Sequence, residues 1–320
     1  MKRALLLLVT LMGVVPFSPA QIASFRGTSQ RNLTAPAPLT IRSDVNEVSI
    51  AFAATDSSGR AITQLSSADV IVVDNGETIK TLRSFRPATD VPLNLVILVD
   101  ASGSVASEFP RVVAELNQFF SSATLGKKDR VSMMVFGGSW PTLICASKCG
   151  NEIARLPLKS IRAGGSTPLY DALVDASKLF ARQQAPESRP ALVLFSDGFD
   201  TISLNGSGEA LDAIRNAEAG IYTKTVGTRK KSPEGEAFLA ILAQGTHGLR
   251  FPEGKSVDAT LSEVVQDLRS GFVLTYELPR TGVEQHKVQV LPVRPRELNI
   301  RSRSTYQVPQ DRPVQDQGTP

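Results

Sequence analysis

Leu95-Val96-Ile97-Leu98-Val99 is an unbroken apolar run that stops abruptly at Asp100. A run of this length closed by a polar turn reads as a strand buried on both faces, as a parallel sheet requires. The continuation Asp100-Ala101-Ser102-Gly103-Ser104 then stands at the carboxyl end of that strand, where open α/β sheets place their ligands. One carboxylate and two hydroxyls on a short loop are hard oxygen donors of the kind Mg²⁺ takes. The same residues would also serve as the cap of a following helix.

The grammar after residue 92 repeats strand, turn and helix. Phe109, Val112, Val113, Leu116, Phe119 and Phe120 fall at helical spacing, and Val131–Phe136 reads as the next strand. Gly164-Gly165-Ser166-Thr167-Pro168 opens a helix carrying Leu169, Leu173, Ala176 and Phe180 on one face. Ala191–Phe195 is another buried strand, closed by Ser196-Asp197-Gly198, and a helix from about Gly208 is expected to end on a cap at Gly220. Ile221–Val226, a helix opened by Ser232-Pro233, a short strand near residues 249–251 and a last helix from about Val257 complete the series. Alternation of this kind predicts a doubly wound, mostly parallel α/β sheet with helices on both faces.

Small antiparallel β segments flank it. Val48, Ile50, Phe52 and Ala54 alternate, and Val70–Val73 ends in Asp74-Asn75-Gly76, a hairpin signal. Near the other end, Phe272–Leu278 reads as a strand, Pro279–Glu284 as a turn, Lys287–Val293 as its partner, and Leu298–Tyr306 as a third strand, together a second small β module or an extension of the first. The expected organisation is a signal peptide over 1–20, a disordered lead-in over 21–38, a β module over 39–90, the α/β domain over 91–271, a β segment over 272–307 and a flexible tail over 308–320. The first segment rests on Lys2 and Arg3, an apolar core from Ala4 to Val15, and small residues before a cut after Ala20. Nothing else approaches the ~20 apolar residues of a membrane span, so an exported protein, periplasmic or secreted, is expected. The formal charge of +4 does not call for a nucleic acid. Cys145 and Cys149, spaced C-x3-C, are candidates for a local disulfide in an oxidising compartment.

Three loops matter together: Asp100, Ser102 and Ser104 after one strand, Thr167 at a helix start, and Asp197 after another strand. Each alone has a plainer account as a cap or a turn. Together they could surround one cation, most simply Mg²⁺, with Mn²⁺ or Ca²⁺ as alternatives. If neutral hydroxyls bond directly and the carboxylates act through water, the cation keeps much of its charge. It can then draw an Asp or Glu from a partner protein.

These residues resemble the metal-ion-dependent adhesion site of von Willebrand factor type A domains. Asp100, Ser102 and Ser104 match the D-x-S-x-S loop, Thr167 in GGSTPLYDAL the second loop, and Asp197 in LFSDGFD the third. The likeness covers roughly residues 92–272 and implies a Rossmann-like fold. It also implies that Ser102, Ser104 and Thr167 ligate the metal, with Asp100 and Asp197 acting mostly through water. The whole layout is similar to exported bacterial von Willebrand factor A-related proteins. Residues 137–156, with Trp140 and both cysteines, depart from the short edge hairpin usual there.

Rival readings are a metal-dependent hydrolase using a cation-bound water and a structural envelope scaffold. G-x-S-x-G, P-loop and H-E-x-x-H patterns do not occur. His247 reads as a turn residue, and His286 lies on the C-terminal hairpin. Arg294, Arg296, Arg301 and Arg303, with Tyr306, read as a solvated strand face or, alternatively, as a contact for an anionic surface.

Overall fold

The computed structural model describes residues 47–122, 124–147, 149, 157–183, 188–227, 232–251, 253–278, 285–295 and 297–307. The expected signal peptide, lead-in, tail and the 279–284 turn lie outside them. No helix among the described residues is long and apolar enough to cross a membrane.

The centre is a six-stranded sheet. Its strands are β5 (Leu93–Asp100), β6 (Arg130–Phe136), β7 (Thr142–Cys145), β8 (Arg189–Ser196), β9 (Gly220–Thr225) and β10 (Arg250–Phe251), in the spatial order β10-β9-β8-β5-β6-β7. All neighbours run parallel except β6 and β7. Every residue of β5 is buried, because alternate side chains feed different cores. Leu95, Ile97 and Val99 join a cluster with α1 (Phe109–Ser121) and α5 (Val257–Ser270). Val96 and Leu98 join one with α2 (Leu169–Gln183), α3 (Ser207–Asn216) and α4 (Pro233–Gln244). Burying each such side chain stabilises the fold by about 1.5–3 kcal/mol. That is why the run shows no alternation.

Chain order reverses at β5: β6 and β7 lie on one side of it, β8 to β10 on the other. The loop after β5 therefore stands at a topological switch point, where the crossing connections diverge and leave a crevice. The cysteine-bearing segment forms the antiparallel edge strand β7, and Cys145 is disulfide-bonded to Cys149.

Gly220 does not cap α3 but begins β9; the left-handed residue after that helix is Glu218, at φ 56°. Gly220 is small for another reason, since a Cβ there would lie 2.8 Å from His247 Nε2. Phe272–Leu278 and Lys287–Val293 are not hairpin partners; the C-terminal strands instead extend the first β module, one of the two arrangements expected. β1 (Glu47–Thr55), β4 (Leu82–Pro87), β11 (Phe272–Glu277) and β13 (Asn299–Ser302) make one four-stranded sheet. β2 (Val70–Asp74), β3 (Glu77–Thr78), β12 (Gln285–Pro292) and β14 (Thr305–Gln307) make a second. β11 has β1 and β4 on its two edges, so β12 pairs with β2 and β14 instead. The expected third strand is split, and its halves serve different sheets. The sheets share one apolar cluster, with Ile50, Phe52 and Leu274 from the first and Val72, Val288 and Val290 from the second. The Asp74-Asn75-Gly76 turn is as expected, with φ of 48° at Asn75 and 86° at Gly76.

His286, on β12, belongs to this β core. Its Nδ1 lies 2.7 Å from Asp74 Oδ1, while Tyr276 and Tyr306 donate to Asp74 Oδ2 at 2.8 and 2.5 Å. Two of the arginines, Arg301 and Arg303, are internal fasteners. Arg301 bonds the His247 carbonyl and Asp267, and Arg303 bonds the Ser49 carbonyl and sits 2.8 Å from Glu218. Neither forms a solvated strand face. Arg294 is exposed beside Asp69 and Glu297, and Arg296 lies outside the described residues.

Candidate metal centre

Parallel register aligns Val99 with Phe195, so Asp100 and Ser196 stand level at the carboxyl ends of β5 and β8. Both are buried. Asp100 Oδ1 accepts the Ser102 N–H at 2.8 Å, and Oδ2 accepts the Ser196 hydroxyl at 2.7 Å. Ser196 Oγ in turn accepts the Gly198 N–H at 3.0 Å. One hydroxyl thus joins the first loop to the third.

Ser102 Oγ and Ser104 Oγ lie 3.1 Å apart. Ser102 is buried and Ser104 half-buried. The Thr167 loop is tied beneath them: Gly103 N–H donates to the Gly165 carbonyl at 2.9 Å, and Gly164 N–H to the Ala101 carbonyl at 2.7 Å. Gly165, at φ 77°, also meets Gly138, whose Cα would be 3.1 Å from a Cβ there. Thr167 N–H donates to Thr201 Oγ1 at 2.7 Å, and Thr201 N–H returns a bond to the Thr167 carbonyl at 3.0 Å. Asp197, half-buried, accepts the Phe199 N–H at 3.1 Å. A Cβ built on Gly227 would be 3.6 Å from Ser104 O and 3.9 Å from Asp197 Cβ, so these two residues flank the same glycine. All five predicted residues therefore lie on one edge of the sheet.

Burial pushes the Asp100 carboxyl up to about 6, against the pull of its Ser196 and Ser102 hydrogen bonds, and the neighbouring Asp197 charge adds to the rise. Two carboxyls whose charges oppose each other, beside a pair of neutral hydroxyls, form a donor set that suits a divalent cation. No cluster of three His, Cys, Asp or Glu side chains able to hold a metal occurs among the described residues. The donors here are mixed hydroxyl and carboxylate.

Several supporting residues escape a sequence reading. Ser196 looks like the last residue of an apolar strand, and Thr201 like part of a loop. Asp171 on α2 holds the loop after Asp197 by accepting from the Leu204 and Asn205 N–H groups and from Asn205 Nδ2. Asp200 likewise accepts from Tyr170 N–H and the Ser203 hydroxyl. The clue available was the spacing of Asp197, Asp200 and Ser203 in one loop, which reads equally as solvated polarity. Large apolar side chains are exposed on the loops that follow β6 and β8: Trp140 is 65% exposed, Leu204 82%, and Phe199 and Ile202 47% each.

Residues 95–199 match the family profile of the von Willebrand factor type A domain. The α/β unit has a von Willebrand factor type A-like fold. A Mycobacterium tuberculosis protein described as uncharacterized, Rv2850c, is 33% identical over 141 residues, covering 41% of this chain and 21% of its own. The magnesium-chelatase 60 kDa subunit of Cereibacter sphaeroides is 27% identical over 136 residues, covering 42% and 24%. The chain thus spans under a quarter of these relatives' length. Among solved structures, manganese-loaded TRAP protein of Plasmodium vivax aligns at TM-score 0.44 and 14% identity, covering 75% of this chain and all of that one. The Rpn10 A domain aligns at 0.41 and 12%, covering 53% and 94%.

Proposed function

We propose that the A domain is a binding module that holds a divalent cation, Mg²⁺ in the first instance, and through it grips an Asp or Glu side chain of a partner protein. Ser102, Ser104 and Thr167 would hold the ion, with Asp100 and Asp197 behind them. The observation that carries this reading is the state of Asp100. Both of its oxygens are already engaged, by Ser102 N–H and Ser196 Oγ, while the neutral Ser102 and Ser104 hydroxyls stand together in front. An ion held mainly by neutral oxygens supplies an electrophilic centre for an outside carboxylate. The exposed Trp140, Phe199, Ile202 and Leu204 give that carboxylate an apolar surround, as anchor residues in interfaces do.

Export to the periplasm or beyond is part of the proposal. It rests on the amino-terminal charge and hydropathy pattern and is consistent with the Cys145–Cys149 disulfide. Neither histidine lies at the site: His286 is in the β core, and His247 is in the turn between α4 and β10 with its ring against Gly220. Calorimetric titration with Mg²⁺ and Mn²⁺ tests the centre: saturable binding that Asp100→Ala and Thr167→Ala abolish is expected. If the native chain takes up no divalent cation, the reading fails. Capture from envelope extract in Mg²⁺, lost in chelator and in Thr167→Ala, is the expected partner signature. Metal-dependent ester or phosphate hydrolysis lost in Asp100→Ala would instead favour the hydrolase.

A further inference from the structure

A cavity of about 920 Å³ opens at the opposite end of the sheet, where β5 and β8 begin. Its apolar wall includes Phe180 of α2, Ala213 of α3 and Val273 of β11, and its polar wall includes Asn94, Arg189 and His247. Arg189 is 3% exposed. Its Nη1 donates to the Leu268 carbonyl, but Nε and Nη2 have no partner. These two donors form one edge of the guanidinium, the fork that matches a carboxylate's two oxygens. Asn94 Oδ1 and both ring nitrogens of His247 are likewise buried and unpaired.

Unpaired buried donors on a cation are costly, because nothing replaces the lost hydration. The nearby acid does not relieve Arg189. Asp267 acts on its charge, yet its oxygens already accept from Tyr222 Oη at 2.7 Å and Arg301 Nη2 at 2.6 Å. Of the other cations at the cavity, Arg303 has Glu218 and Lys178 has Asp175, while Arg86 is exposed to water. Burial among Arg189, Arg303 and Arg301 keeps His247 neutral, so it adds a donor and no charge. The buried unbalanced charge is therefore that of Arg189, and the exposed Arg86 adds a second positive charge at the same cavity.

We propose that this cavity binds a small amphipathic carboxylate, its head on the Nε/Nη2 fork of Arg189 and its alkyl body along Phe180, Ala213 and Val273. A volume of this size lies in the range of small-molecule sites. Away from water, the charge-assisted pair is stronger than at a surface. The site is remote from the Asp100 loop and stands whether or not that loop holds a metal.

The test is calorimetry on the full chain with decanoate, decanol, acetate and sulfate. Decanoate is expected to bind saturably at one site, with the other three at least 10-fold weaker. Arg189→Met removes the unpaired charge and should weaken decanoate at least 10-fold. Ala213→Phe fills the apolar wall, leaves Arg189 in place and should do the same, which decides the matter if Arg189→Met does not fold. No saturable decanoate binding, decanol or sulfate binding as tightly as decanoate, or affinity unchanged in Ala213→Phe or in a folded Arg189→Met would each overturn the proposal.

Discussion

Ser196→Ala removes one oxygen from the molecule and should cost far more than a serine usually does. Its hydroxyl is fully buried, donates to Asp100 Oδ2 at 2.7 Å and accepts the Gly198 N–H at 3.0 Å. The substitution leaves two polar groups unpaired in the interior, one of them a carboxylate. Each such loss costs roughly 1–3 kcal/mol, so a total of about 3 kcal/mol is expected. Urea unfolding in chelator should show this as a lower midpoint with an unchanged slope. Ser49→Ala, whose hydroxyl meets Thr275 Oγ1 at 3.2 Å in a part-buried place, is the control and should lose less than about 1 kcal/mol. Because Ser196 also fixes the Asp100 carboxylate, Mg²⁺ affinity should fall by about 10–100-fold, as when supports behind metal ligands are lost. A stability loss under about 1 kcal/mol would show that Asp100 does not depend on this bond. Unchanged Mg²⁺ affinity in a folded variant would show that Asp100 orientation does not matter to the ion.

Burial alone would raise the Asp171 carboxyl, but hydrogen bonds from Asn205 and Leu204 outweigh it and hold the group below its ordinary 3.8. A lowered carboxyl stabilises the fold above its unfolded value and loses that contribution as pH falls through the folded one. The native chain should therefore lose stability below about pH 4, and Asp171→Asn should flatten that acid limb, as read from melting temperature against pH. In the β core, Asp74→Ala removes one hydrogen-bond partner from each of Tyr276, Tyr306 and His286 at once. A loss of roughly 3–5 kcal/mol is expected by chemical denaturation, in the range for breaking a buried charged network. Reducing the Cys145–Cys149 bond, which closes a loop of sequence separation 4, should cost about 2 kcal/mol by the chain-entropy relation. Comparing melting with and without reductant measures it.

The candidate centre was readable because its donors sit where local patterns end. An apolar run stopped by Asp100, another stopped by Ser196-Asp197, and Gly164-Gly165 before Thr167 announce strand ends and a helix start. Ser196 and Thr201 were not readable, since their partners are 96 and 34 residues away. Nothing in local sequence marks a hydroxyl as the link between loops.

The sequence by itself determined which stretches become strands and helices and that the central strand is covered on both faces, because side-chain periodicity and turn chemistry act over a few residues. Tertiary structure alone decided the pairing of the terminal strands: β11 meets β1 across more than two hundred residues, a choice made by which strand edges remain open once the α/β sheet has brought them together. It also decided that Arg301 and Arg303 turn inward as fasteners, and that Arg189, an ordinary charged residue in the sequence, ends up buried with part of its hydrogen-bonding capacity unfilled. Charge has no periodicity of its own, and its cost is set by what the finished fold packs around it.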